Sequence, residues 1–379
     1  MSNPERSPEE TVCVSPESEP DRAFEILEPR DVPLGGLRAM NVRRTLPQRS
    51  RSLIGAWCFL DHYGPDDVAA TGGMDVAAHP HIGLQTVSWL FSGEIEHRDS
   101  ADFHAIVRPG ELNLMTAGRG ISHSERSTPG TTTLHGAQLW VALPERRRGV
   151  AKGFEHYAPP VLAGAGWRAQ VFLGRLLGDA SPVRTHTPLL GAEIGLDPGA
   201  SIELAVDAVF EHGVLVDSGS VALEVPGGED RGSPAVEKDQ LAFLPAGVAS
   251  LRLTAGADGA RLLLLGGEPL GERIVMWWNF IGRDHDEIVQ ARVDWQAQLA
   301  AAGVAEPAEL GVPGGPTGST TAAARSTEAR SAEARSAAVD SGTGRPAPDP
   351  DRFGLPQDEP EPPLSAPALP VARLLPRKQ

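Results

Sequence analysis

Cysteine is nearly absent: there are two in 379 residues, Cys13 and Cys58. Cys13 lies in a polar N-terminal stretch and nothing pairs it with Cys58. The chain is therefore neither a disulfide scaffold nor a cysteine-based zinc protein, and a reducing, cytoplasmic setting fits. Aromatic residues make up only 5% of the chain. Positive charge is short too: 34 Lys and Arg against 50 Asp and Glu leave a formal net charge of −16. Phosphate backbones and anionic lipid surfaces both call for a basic face, so neither a direct nucleic-acid partner nor a membrane partner is expected. Long apolar runs are missing as well. Those present, such as Leu262–Leu265, fall far short of a membrane span. The opening stretch MSNPERSPEETVCVSPESEP lacks the apolar region of a signal peptide.

Glycine (42) and proline (34) are plentiful, and 40% of the residues are apolar. That balance supports a turn-rich, β-rich fold with a real core, not a helical bundle. Residues 1–20 are rich in Pro, Ser and Glu and are expected to be a disordered tail. Residues 305–379 look alike, with an Ala/Arg/Ser/Glu tract in which Arg325, Arg330 and Arg335 recur every fifth place, a period that fits neither helix nor strand. No packed fold is expected there.

Between the tails, short apolar segments alternate with Gly, Pro and Asp. Val87, Trp89 and Phe91 show strand periodicity. Leu112–Met115, Gln138–Leu143 and Gln170–Leu173 read as further strands. The same style repeats in Ala200–Leu204, Gly213–Val216, Val221–Val225, Gln240–Leu244, Leu251–Leu253 and Arg261–Leu265. The spacing predicts two consecutive all-β units, over residues 21–178 and 179–304. One helix stands out near the end of the second. Asp284 caps it, Glu287 follows three residues on, Ile288, Ala291, Trp295 and Leu299 share a face, and Gly303 ends it.

Two segments carry chemistry. In His79-Pro80-His81 the two imidazoles sit at i and i+2, which puts them on one side of an extended strand. Pro80 cannot donate to a ladder, so the strand belongs at an edge. In His123-Ser124-Glu125 the imidazole and carboxylate again share a side. If the segments lie side by side, three imidazoles and one carboxylate converge. Such donors suit Fe(II), Mn, Ni, Cu or Zn and exclude thiolate-seeking centres. Four protein ligands on a six-coordinate ion leave two positions for O₂, water or a chelating substrate. His62, His97, His104, His135, His156, His186, His212 and His285 read as ordinary polar residues, with one of His97 and His104, on the segment linking the two pairs, a candidate for the cavity mouth. Arg119, between Gly118 and Gly120, is either a solvent-facing turn residue or a group that steadies an anionic substrate. Between Gly195 and Gly267 stands one histidine, His212, so the second unit has no such centre. Trp277-Trp278-Asn279-Phe280 reads as packing.

The segments HPHIGLQTVSWLFSGEIEHRDS and RPGELNLMTAGRGISHSE resemble the pirin signature. The resemblance continues through GAQLWVALP and GEPLGERIVMWWNFIGRDHDEI, and covers about residues 24 to 300. It implies a bicupin: two consecutive cupin (jelly-roll type) β-barrels with a short C-terminal helix closing the second barrel, and the two tails outside. It places the iron ligands of the family on His79, His81, His123 and Glu125, the four that the spacing selects. It implies one divalent ion, Fe(II) first. Pirins commonly carry Glu where this chain has Gln85. An amide is a poor metal ligand, so Glu125 supplies the carboxylate, and Gln85 is expected to hydrogen-bond beside the ligands if strand parity holds.

The resemblance implies quercetin 2,3-dioxygenase activity, with a small aromatic chelating substrate and with Glu125 or a water as the base. The alternative it implies is an iron-dependent redox sensor that binds a regulatory protein partner without turnover. A metal-stabilised barrel without either task is the blandest reading.

Overall fold

The computed structural model describes residues 11–13, 24–34, 40–226, 235–304, 346–370 and 373. The expected tail 1–20 lies outside the described residues except for Thr11–Cys13, which pairs with Ile274–Trp277. Each expected strand falls within a strand, to a residue or so at its ends. Two pairs of them merge. Gly213–Val216 and Val221–Val225 lie along one strand, Glu211–Glu224, and the last two expected strands lie along Ser250–Gly267. The intervening glycines mark bulges: the register shifts at Val216/Ser218 and again at Gly219/Val221, where Gly219 has φ +72°. A bulge bends a strand and raises its twist, so one strand can turn a barrel corner where its sequence reads as a break.

The first barrel is a seven-stranded sheet facing a four-stranded one. The larger has the order Gly153–Tyr157, Leu112–Thr116, Leu84–Ser92, Thr133–Ala142, Trp57–Asp67, Met40–Leu46, Arg30–Leu34. The smaller has Asp75–His81, Ile121–Ser127, Ile95–Asp99, His104–Val107. The second barrel is a nine-stranded sheet built on Ser250–Gly267 and Glu211–Glu224. It recruits Trp167–Leu173 and, from the other end of the chain, Glu25–Leu27. The barrels are thus not cut cleanly at 178/179. Alternation predicts that a segment is a strand, and carries no information about which sheet it joins.

The run Leu262–Leu265 shows how the barrels meet. Leu262 and Leu264 fill the second barrel together with Val171, Ile194, Val214 and Leu253. Leu263 and Leu265 face the first barrel, where they join Trp57, Val87, Trp89, Leu139 and Phe172. A strand buried on both faces reads as a continuous apolar run. At the rim of this interface Asp217 accepts from Arg261 Nε at 2.6 Å and lies 2.7 Å from His62 Nε2 and 2.6 Å from His135 Nε2. Asp239 lies 3.0 Å from Arg43 Nε and 3.2 Å from His62 Nδ1. This charged group bolts strands of one barrel to the other.

Helix His285–Ala301 is capped as expected: Asp284 Oδ1 accepts from the Glu287 amide at 3.0 Å. Its buried face contains Ile288, Ala291, Trp295 and Leu299, and Gly303, at φ +74°, ends it. Its place is the surprise. The hairpin Ile274–Trp277/Phe280–Gly282 and this helix pack on the first barrel, where Ile82 bridges Phe280, and Arg148 pairs with Glu287 at 2.7 Å. The element expected to close the second barrel therefore covers the first. Gly83 permits this approach: a Cβ there would stand 2.2 Å from the Ile281 carbonyl oxygen.

Residues 346–370, expected to lie in the unpacked tail, are seated on the same region, with Phe353 fully buried. Composition alone hides the few anchors, Phe353 among them, that make a polar segment dock. Among the described residues no helix is long and apolar enough to cross a membrane.

Burial would raise the Asp217 carboxyl, yet hydrogen bonds from His135 and His62 hold it well below the ordinary aspartate range. Removing one partner of a buried ionic group costs about 3–5 kcal/mol, so Asp217→Ala is expected to lower the unfolding free energy by that order in urea titrations. Because the folded pKa is depressed, the contribution of Asp217 is present above the ordinary value of 3.8 and is lost as pH falls below it. Equal stability of Asp217→Ala and the parent at pH 7 would show that the bolt is not holding the barrels.

Candidate metal centre

The strand Asp75–His81 is the edge of the four-stranded sheet and pairs antiparallel with Ile121–Ser127. Pro80 at an edge leaves no ladder acceptor unmatched, as its missing N–H demands. In this register His123 lies directly across from His79, and His81 across from Ile121. A bulge between His123 and Glu125 then shifts the ladder. His79, His81, His123 and Glu125 are all buried.

Each imidazole is oriented through its Nδ1. His79 Nδ1–H donates to the Ala77 carbonyl at 2.9 Å, and His81 Nδ1–H to the Asn279 carbonyl at 3.0 Å. His123 Nδ1 stands 3.4 Å from His97 Nδ1, and His97 Nε2 stands 3.3 Å from Asp99 Oδ2. Asp99 Oδ1 is fixed by the Ala101 amide at 2.7 Å. The consistent proton assignment has His97 donating to Asp99 and His123 donating to His97. All three Nε2 lone pairs are then left to face one another. His79 Nε2 is buried without a hydrogen-bond partner. His81 Nε2 and His123 Nε2 stand 3.1 Å apart. Two nitrogens bound at 2.0–2.1 Å and at right angles on one ion stand about 3 Å apart, so the spacing suits adjacent donors.

Burial pulls the His79 imidazole down to about 3. Burial, then the neighbouring imidazoles, pull His81 and His123 well below the ordinary histidine value. Neutral rings carry the lone pair that a metal needs. His79, His81 and His123 form one group able to hold an ion, and His97, His123 and Glu125 form an adjoining one. The residues fit a borderline divalent metal: nitrogen and oxygen donors, no thiolate.

Glu125 has the Ser88 hydroxyl 3.4 Å from Oε1, and that hydroxyl lies 2.8 Å from Gln138 Oε1. Trp140 meets His81 edge-on at 5.2 Å between centroids. Tyr63 Oη, Gln138 Nε2 and Trp140 Nε1 are buried without hydrogen-bond partners. A third His/Asp group, His62, His135 and Asp217, also has donor atoms close together. Arg261 already supplies positive charge to its aspartate, so it serves as the inter-barrel bolt.

Gln85 is not brought to the histidines. Its amide donates to Thr116 Oγ1 at 2.9 Å. It shares a face of its strand with Val87, which packs in the inter-barrel core, while Ser88 on the other face meets Glu125. The expected parity fails because Gly83, at φ +69°, breaks the strand after His81, and the chain passes to the other sheet. Arg119 is exposed, and its carbonyl accepts from Arg352 Nε at 2.8 Å; it is the turn residue. Two groups escaped the sequence reading. His97 and Asp99 carried a signal, since they repeat the i, i+2 spacing of the other pairs. Asn279 carried none, since it acts through a main-chain carbonyl from a remote hairpin. Trp278, at φ 51°, occupies the turn that presents that carbonyl.

Comparison with known proteins bears out the resemblance. The family description "Pirin" matches residues 38–141, and "Pirin C-terminal cupin domain" matches residues 191–300. A putative quercetin 2,3-dioxygenase of Pseudomonas aeruginosa is 42% identical over 70% of this chain and 82% of its own length. A pirin-like protein of Caulobacter vibrioides is 36% identical over 68% of this chain and 88% of its own. The crystal structure of quercetin 2,3-dioxygenase from Acinetobacter baumannii superposes with a TM-score of 0.67 at 34% identity, covering 77% of this chain and 96% of that one. The expectation of an all-β fold with two cupin barrels holds.

Metal content after loading with a divalent ion and dialysis tests the centre. His123→Ala is expected to retain almost none, and His97→Ala to bind about 10–100-fold more weakly, the usual cost of losing a group that orients a ligand. Full stoichiometry in His123→Ala would remove the centre from this place. The depressed imidazole pKa values also set a sign. Between about pH 3 and 6.5 the unfolded chain binds protons that folded His79 does not, so the metal-free protein loses stability as pH falls through that window.

Proposed function

The chain belongs to the pirin family, and from that premise we propose that its first barrel holds one divalent metal ion on His79, His81, His123 and Glu125, with Fe(II) as the native ion. The observation that carries this reading is the convergence of three neutral imidazole Nε2 atoms, with the Nδ1 of His79 and His81 tied to main-chain carbonyls and that of His123 facing His97. Affinity alone would favour copper or zinc over iron; the choice of iron follows the family. A reducing, cytoplasmic setting suits both Fe(II) and the buried Cys58.

The activity we assign is quercetin 2,3-dioxygenase-type oxidation of a small aromatic substrate that chelates the metal. The named relatives of Pseudomonas aeruginosa and Acinetobacter baumannii support it. Bound metal would supply Lewis acidity toward vicinal hydroxyl and carbonyl oxygens and a path for electrons toward O₂. The chain's own residues do the rest. Glu125 accepts the proton of the chelating hydroxyl, and Ser88, 3.4 Å away, steadies the carboxylate oxygen. Tyr63 Oη and Gln138 Nε2, both buried without hydrogen-bond partners, orient the substrate. Trp140 walls the site beside His81.

The test is anaerobic loading with Fe(II), followed by air and quercetin, with metal analysis and flavonol absorbance read together. One metal per chain and a falling flavonol band are expected, with both lost in His81→Ala. One metal per chain with unchanged absorbance would overturn the dioxygenase reading and leave the metal centre standing.

A further inference from the structure

We propose that the groove between helix His285–Ala301 and the outer face of strand Ile121–Ser127 is a peptide-binding site, that its occupant is the chain's own segment 346–370, and that this occupant holds the ligand-bearing strand from behind. The family matches end at residue 300, and the segment lies beyond them.

The groove reads the segment as peptide sites read extended ligands, through main-chain groups and a few pockets. Phe353 is the anchor. It is fully buried, stacks on Phe280 with centroids 5.9 Å apart, and meets Trp295 edge-on at 5.5 Å. Gln298 grips the backbone on both sides of Gly354: its Oε1 accepts from the Phe353 and Gly354 amides, and its Nε2 donates to the Gly354 carbonyl at 2.6 Å. Gly354 has φ +72°, and a Cβ there would stand 3.0 Å from Lys152 Nζ and Ser100 Cβ. Arg352 pairs with buried Asp294 at 2.8 Å. Further along, the Leu364 amide donates to the Ala78 carbonyl at 2.8 Å, and Trp295 Nε1 donates to the Leu364 carbonyl. The groove thus fits an extended peptide carrying Arg-aromatic-Gly, an acid six residues after the aromatic, and a leucine beyond it.

The strand under the segment has two faces. His123 and Glu125 point into the barrel. Ser122, Ser124 and Arg126 point out and bind the segment: Ser122 Oγ donates to the Gly354 carbonyl at 2.6 Å, Ser124 Oγ to Glu359 Oε1 at 2.6 Å, and Arg126 to Glu359 Oε2 at 2.9 Å. Alternating residues of one strand therefore carry the metal donors and the docking contacts. Ala78, which receives Leu364, directly precedes His79.

The experiment uses the full chain with a protease site inserted within residues 305–345 and cut after folding. Two readouts follow: co-elution of the released fragment on size exclusion, and saturable uptake of a fluorescent peptide of residues 346–370. At least one is expected, with at least a tenfold loss when the peptide carries Phe353→Ala. Full-length Phe353→Ala is expected to exchange the amides of residues 121–127 at least tenfold faster, while strand Leu189–Leu196 of the second barrel is unchanged. Neither co-elution nor uptake, or a Phe353→Ala peptide that binds as tightly as the parent, would overturn the peptide site. Unchanged exchange at residues 121–127 would overturn the support of the ligand strand. An uncut chain that runs as a dimer and falls to a monomer on cutting would overturn the assignment to the same chain and give the groove to a second copy.

Discussion

Everything at the centre depends on keeping three buried imidazoles neutral and aimed. A buried histidine needs partners for its ring nitrogens, and a metal can satisfy only the one that lacks a proton. The barrel settles this by giving Nδ1 of His79 and of His81 a carbonyl oxygen, and Nδ1 of His123 a neighbouring imidazole backed by Asp99. Two of these acceptors lie close by in the first barrel's own sheets. The third, the Asn279 carbonyl, comes from a hairpin that the chain reaches only after building the second barrel. A histidine of the first barrel is thus oriented by a hairpin that follows the second.

The two barrels share an architecture and differ in what fills them. The second is packed with Leu, Val, Ile and Ala, as its interior core shows. Its single histidine in that region, His212, is pulled by burial down to about 4 and has no hydrogen-bond partner on either ring nitrogen. Among the described residues His212 belongs to no group of three side chains able to hold an ion. A filled barrel gives rigidity, and the wide apolar interface transmits that rigidity to the first barrel through Trp57, Trp89 and Phe172. The first barrel can then afford a polar interior, because its outer wall is held by its partner.

Much of this was legible in the sequence, for reasons that lie in local geometry. Two-residue alternation exposed the strands. His79-Pro80-His81 and His123-Ser124-Glu125 announced a shared face, because side chains two apart on a strand must share one. The capped helix showed itself through Asp284, Glu287 and its apolar face. What stayed hidden was everything decided between segments. Gln85 has the parity of the histidines in sequence and loses it at Gly83, where the chain changes sheets. The closing helix has an apolar face that suits either barrel, and only the tertiary path decides which. His97 stood with His104 only as a candidate for the cavity mouth, because a single histidine carries little weight, although Asp99 two residues on repeats the spacing of the two pairs.

The C-terminal segment illustrates the limit most clearly. Its composition is that of chains that bury too little apolar surface to fold alone, and that remains true of it. It is ordered by a surface that was already built: Trp295, Phe280 and Ile82 form an apolar seat, and Gln298 and Asp294 present polar atoms to a passing backbone. The information lies in the seat and in a few residues of the segment, Phe353, Gly354 and Glu359 among them, which its overall composition hides. Because a β-strand shows alternate residues to opposite sides, any seat built on the outer face of Ile121–Ser127 is mechanically joined to His123 and Glu125 on the inner face. A contact on the outside of that strand constrains the same backbone that sets the donor positions within, and the coupling needs no path longer than one peptide unit.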